Sequence, residues 1–141
     1  MEQHLGTATC HMTARVSTPA GLISPLPAEF LYQAGDPYAV QLSLGPSTGS
    51  ARVWTFARDL LAEGVERPAG AGDVRVVPRC RHHPYSLRIV LSNRDGTALI
   101  ELPAEKVAGF LRQAFSLVPP GTESRHLNID GTITALMGRS R

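Results

Sequence analysis

The chain has one lysine, two cysteines, few aromatics and no long apolar run. No stretch approaches the roughly 20 apolar residues that cross a bilayer, so no transmembrane segment is expected. Met1-Glu2-Gln3-His4 offers neither the basic start nor the apolar core of a secretion signal. With no export signal, Cys10 and Cys80 are expected as reduced thiols in a cytoplasmic protein. Fourteen basic residues face twelve acidic ones, a net charge of +2. That is too little to indicate nucleic acid by net charge alone.

Catalytic signatures are also missing. There is no Gly-x-Ser-x-Gly elbow, and no Ser or Cys sits in a strand-turn-helix context. Cys10 and Cys80 fall where neighbours alternate apolar, which reads as two buried, inert strand thiols. Asp59, Glu63 and Glu66 belong on or beside a short helix, where i,i+4 pairing and solvation explain them. Gly70-Ala71-Gly72-Asp73 leads into a strand, not into a helix N-terminus that could hold phosphate. Cys80, His82 and His83 are close in sequence, with Cys10 and His11 able to join them only through the fold. Zinc needs three or four convergent ligands, and no second pair stands at a standard spacing. The sequence therefore predicts no enzyme, no cofactor and no metal.

What remains is ordinary globular material: 43% hydrophobic and 18% charged residues, enough for one domain over residues 1–141. Ala8, Cys10, Met12, Ala14 and Val16 alternate with polar residues, the period of a half-buried strand. Residues 17–25 read as a loop, and a strand with Ala28, Phe30 and Tyr32 on one side follows. After the Asp36-Pro37 turn, Tyr38, Val40, Leu42 and Leu44 alternate up to a hairpin loop, Gly45 to Ser50. Trp54 and Phe56 mark the return strand. Arg58 to Glu63 are good helix formers, and Gly64 is placed to end that helix.

The second half follows the same plan. Val74 and Val76 lead to Leu87, Ile89 and Leu91, then an Asn93-Arg94-Asp95-Gly96 turn and Ala98, Ile100 and Leu102. From Pro103 the period becomes helical: Val107, Phe110, Leu111, Ala114, Phe115 and Val118 form one stripe, closed by Pro119-Pro120. A last helix is expected from Asp130. These patterns predict an α+β fold of two mainly antiparallel sheet-plus-helix halves.

Arg75, Arg79, Arg81 and Arg88, with His82, His83 and Tyr85, crowd the strands of the second half. A basic, aromatic-bearing sheet face can hold single-stranded nucleic acid. A solvated outer face whose arginines block edge pairing explains the same residues, and one aromatic is few for a stacking platform.

Three segments carry a resemblance: Asp36-Pro37-Tyr38-Ala39-Val40, the run from Trp54 to Gly64, and Gly72-Asp73-Val74-Arg75-Val76. Together with Val118 to Glu123 and Arg125-His126, they resemble the SsgA-like proteins, actinomycete regulators of sporulation-specific cell division. The likeness runs from about Asp36 onward, while the first 35 residues match only in strand pattern. Arg79 to Ser86 is basic here and departs from the family. The resemblance implies a Whirly-like fold, similar also to mitochondrial guide-RNA-binding proteins, and a homo-oligomer, a trimer. It further implies recruitment of the tubulin-like FtsZ to future septa, with other division proteins, including an SsgA-type protein, as partners. The expected contact residues are Arg58, Asp59 and Glu63 on the short helix and Pro119, Pro120, Gly121, Thr122 and Glu123 after the long one. The alternative is a single-strand binder using Arg75, Arg79, Arg81 and Arg88.

Overall fold

The structure, a computed structural model, describes residues 6–21, 23–46 and 51–127. Residues 47–50 of the expected hairpin loop and the helix expected from Asp130 lie outside the described residues. Four strands come first: β1 (Thr7–Ser17), β2 (Ile23–Gln33), β3 (Ala39–Leu44) and β4 (Arg52–Ala57). Helix α1 (Arg58–Glu66) follows, then β5 (Val74–Val77), β6 (Ser86–Asn93) and β7 (Gly96–Pro103). Helix α2 (Ala104–Leu117) and a 3₁₀ turn, Glu123–His126, complete the order.

All seven strands join one sheet in the order β4-β3-β2-β1-β7-β6-β5, and every pairing is antiparallel. The α+β expectation is met, with a refinement. The two halves, β1–β4 and β5–β7, meet where Arg15, Val16 and Ser17 pair with Glu101, Ile100 and Leu99. Each helix packs mainly on a strand of the other half of the chain. Helix α2 lies mainly on β1, whereas α1 touches both β4 and β5, the two ends of the strand order. One nine-residue helix can reach both ends only if the sheet curls. Its concave face carries the alternating residues of every strand, among them Ala14, Phe30, Leu42, Ile89 and Ile100, all fully buried with Phe110 of α2.

Two expectations about chain breaks need correction. Residues 23–25 extend β2 rather than forming a loop, so β1 and β2 pair over their whole length despite Pro25 and Pro27. The Pro27 carbonyl accepts the Gly45 N–H at 2.9 Å, on the side away from β1. In a strand the N–H of a residue points to the same side as its C=O, so proline there removes no β1 ladder bond. Pro25, two residues earlier, faces the same way.

Gly64 does not stop α1. It is buried inside the helix, and a Cβ there would overlap Cβ and Cγ1 of Val76 on β5. Its missing side chain sets how closely α1 approaches the sheet. The helix ends at Glu66 because Pro68 disfavours helical backbone at Arg67, which is extended at φ −153°. Pro119 acts likewise on Val118, ending α2 as its sequence predicts. Gly64→Ala should therefore destabilise by about 1–3 kcal/mol despite alanine's better helix propensity. Thermal denaturation checks this; an equal or higher melting temperature contradicts the packing role.

Candidate functional site

The side chain that joins most elements is Arg58, at the first position of α1. It was expected on the surface, but only 1% of it is exposed. One terminal amino group, Nη1, donates to the Tyr32 hydroxyl (3.0 Å), the Ala114 carbonyl (3.2 Å) and the Val118 carbonyl (2.8 Å). The other, Nη2, donates to Glu123 Oε2 at 2.9 Å. The guanidinium also lies over Phe115, 4.1 Å from its ring centroid, and 5.1 Å from that of Tyr32.

This arrangement follows from helix chemistry. The last carbonyls of α2 carry the negative end of its dipole; that of Ala114 also accepts the Val118 N–H at 3.0 Å. Helix α2 has no basic residue in its own last turn, and Arg58 of α1 supplies the missing cation. Tyr32, rooted in β2, passes the network on by donating its hydroxyl to the Pro37 carbonyl at 2.9 Å. Burial raises the Tyr32 phenol above its usual 10.0, partly opposed by Arg58.

Glu123 closes the site from the other side. The turn before it is fixed locally: Thr122 donates its N–H (3.1 Å) and its hydroxyl (2.7 Å) to the Pro119 carbonyl. Gly121, at φ 87°, occupies the left-handed region and donates its N–H to Glu123 Oε1 at 3.0 Å. The Glu123 carboxyl is held below its usual 4.5, foremost by its own backbone N–H, with further help from Arg58 and the Gly121 N–H.

Two of the expected contact residues, on different segments and 65 positions apart, thus form one ion pair. Asp59, Glu63, Pro119, Pro120 and Gly121 remain exposed, and Thr122 is half-buried. Glu63 approaches Arg67 at 4.0 Å across one helical turn. Sequence reasoning missed Tyr32 and Phe115, which it read as ordinary core; nothing local in the sequence marks them as partners of an arginine.

The second candidate set is more scattered than expected. Arg75 on β5 and Arg88 on β6 face the convex side of the sheet, but Arg79 and Arg81 lie off the strands, in the 78–85 loop. Cys80 is in this loop too, exposed rather than buried on a strand, with Arg88 Nη2 3.7 Å from its sulfur. Cys10 sits on the concave side, its thiol 3.8 Å from the Lys106 carbonyl. Both thiols are free. Among the described residues, no three His, Cys, Asp or Glu side chains converge as a metal site. No helix among the described residues is long and apolar enough to cross a membrane.

With this geometry in place, comparison identifies relatives. The family model described as the Streptomyces sporulation and cell division protein SsgA matches residues 26–123. The chain is 40% identical to the sporulation-specific cell division protein SsgB of Streptomyces coelicolor, covering 95% of this chain and 98% of that protein. It is 43% identical to SsgB of Kineococcus radiotolerans, over 89% of this chain and 77% of the other. A solved structure from a study relating SsgB mutations to longitudinal cell division during sporulation of Streptomyces coelicolor superposes with a TM-score of 0.77. It is 42% identical and covers 86% of this chain and 95% of that one. An SsgA-like sporulation-specific cell division protein of Thermobifida fusca gives a TM-score of 0.80 at 32% identity, with 92% and 96% covered.

Two measurements test the buried pair. Arg58→Met, which keeps bulk but removes the guanidinium from the Tyr32 hydroxyl, the Val118 carbonyl and Glu123 Oε2, should cost about 3–5 kcal/mol in denaturant unfolding. A loss below about 1 kcal/mol would show that the pair contributes no more than a surface one. Because the folded state holds Glu123 below 4.5, its contribution is whole above that pH and is lost as pH falls through the folded value. The melting-temperature gap between the wild type and Glu123→Gln should accordingly narrow on acidification; a gap constant with pH contradicts this.

Proposed function

The chain belongs to the SsgA family of sporulation and cell division proteins, and on that premise we propose that it is a non-enzymatic regulator that positions the FtsZ ring at septation sites. In this reading it is one domain over residues 1–141 with Whirly-like architecture, a cytoplasmic homotrimer brought to the septum. It acts there through contacts with FtsZ and other division proteins, including an SsgA-type protein. The observation that carries the reading is the Arg58–Glu123 pair at 2.9 Å, which ties two of the family-like segments into one rigid unit. Beside it stand exposed acidic side chains, Asp59 and Glu63, and an exposed Pro119-Pro120-Gly121 turn. Rigid, pre-ordered groups lose little entropy on binding, which suits a protein contact.

The test is binding of labelled FtsZ to the full chain across a salt series. Asp59→Lys with Glu63→Lys should weaken binding by about tenfold, chiefly through association rate, with only a small fall in melting temperature from the loss of the first-turn acid of α1 and of the exposed Glu63–Arg67 pair. Absence of FtsZ binding by the wild type, or indifference to the double reversal, overturns the reading. So does steeply salt-dependent binding of a single-stranded oligonucleotide without any of FtsZ, which belongs to the alternative through Arg75, Arg79, Arg81 and Arg88.

A further inference from the structure

The convex face of β5 and β6 has a chemical pattern that the surface at α1 does not share. Strand register puts Arg75 opposite Val90 and Val77 opposite Arg88, a checkerboard of cations and small apolar side chains. The pattern continues sideways, Val90 opposite Leu99 and Arg88 opposite Glu101, and Glu101 in turn opposite Arg15. Val77, Val90 and Leu99 are only half-buried. Next to this face the 78–85 loop adds Arg79, Arg81 and His82, all exposed, and Tyr85, 82% exposed.

The loop is pre-formed. Cys80 and His83 exchange backbone hydrogen bonds at 3.1 and 3.0 Å, and the Tyr85 carbonyl accepts the first N–H of α2 at 2.9 Å. Among the described residues, none of Arg15, Arg75, Arg79, Arg81 and Arg88 has a carboxylate within ion-pair distance; Glu101 is engaged by His83 at 3.7 Å. The Arg88 Nε is buried with no hydrogen-bond partner among the described residues. Apart from Glu101, which register places between Arg88 and Arg15, the face and its loop thus offer cations without ion-pair partners, with apolar ground between Arg75 and Arg88.

We propose that this convex face and its loop form a docking surface for an acidic protein segment that carries interspersed apolar residues. Charge complementarity selects the acid, and the checkerboard selects its apolar companions. Cations two residues apart from valines along each strand are separated from them by about 6.7 Å, the repeat at which an extended segment presents successive side chains to one side. Single-stranded nucleic acid fits less well. Its phosphates form an unbroken charged line that leaves Val77, Val90 and Leu99 unmatched, and its bases stack on aromatic platforms, for which this surface has only Tyr85. The proposal uses no residue of the α1 surface and does not depend on FtsZ.

The experiment uses the full chain and fluorescein-labelled peptides, one of mixed glutamate and leucine and one of glutamate and serine with the same charge. A single-stranded oligothymidylate of equal charge serves as a third probe. The glutamate–leucine peptide should bind more tightly than either other probe. Arg79→Ala with Arg81→Ala should weaken it by about tenfold, whereas Arg94→Ala, at the far turn between β6 and β7, should leave it unchanged. The paired substitutions are at exposed loop positions, and an unchanged melting temperature verifies the fold. Equal binding of the two peptides, tighter arginine-dependent binding of the oligothymidylate, or peptide binding indifferent to the paired substitution each overturns the proposal. None of these results involves FtsZ, so the outcome is separable from that of the regulator reading.

Discussion

A buried arginine holds the tertiary structure together at one end. Arg58 begins α1, yet its guanidinium spends its donors on β2 through Tyr32, on the end of α2 through two carbonyls, and on the turn after α2 through Glu123. Desolvating such a charge is costly, and only dense pairing offsets it. Here the compensation comes from an anion, from carbonyls at the negative end of a helix, and from two aromatic rings. Remove any one of these elements and the charge is left without part of its compensation. The pair therefore behaves as a geometric constraint: α1, α2 and the 119–123 turn have one mutual arrangement in which the arginine is satisfied.

The curl of the sheet is the complementary constraint. An open seven-stranded sheet would keep β4 and β5 far apart, but α1 packs on both. That contact needs close approach, and Gly64 permits it by presenting no side chain to Val76. The concave face then closes over Phe110 and its neighbours on α2, and the convex face is left to solvent. Arg58 at one end of α1 and Gly64 near the other thus fix both position and depth of the same helix. The exposed family-like segments around α1 and the 119–123 turn are held in one mutual arrangement by this.

The strands were legible because their signal is local. Alternation in Ala8–Val16, Tyr38–Leu44 and Leu87–Leu91 states which residues face inward whatever the partner strand is. The stripe of α2 was legible for the same reason, and Pro119 ended it on schedule. Sequence and structure part where one residue type has two local meanings. Gly64 reads as a helix stop or as a point of close packing, and Pro25 reads as a loop or as a tolerated strand position. Only the neighbour that each residue meets decides between them. Cys80 looked like a strand thiol because its surroundings alternate, but the bridge between Cys80 and His83 turns that stretch into a loop.

By itself, the sequence determined the element types, the inward faces, the antiparallel character and, through its Trp54–Gly64 and Val118–Glu123 segments, the family. These depend on residue order over a few positions or on matched words in the chain. Tertiary structure alone decided that Arg58 is interior, that Glu123 is its counter-ion and that Tyr32 and Phe115 complete the site. It also decided which arginines share a convex face and which stand in a loop. An ion pair spanning 65 positions has no periodicity, spacing or composition to announce it. It exists because the curled sheet brings the end of one helix to the beginning of another, and a charge excluded from water there is stable only beside an opposite one.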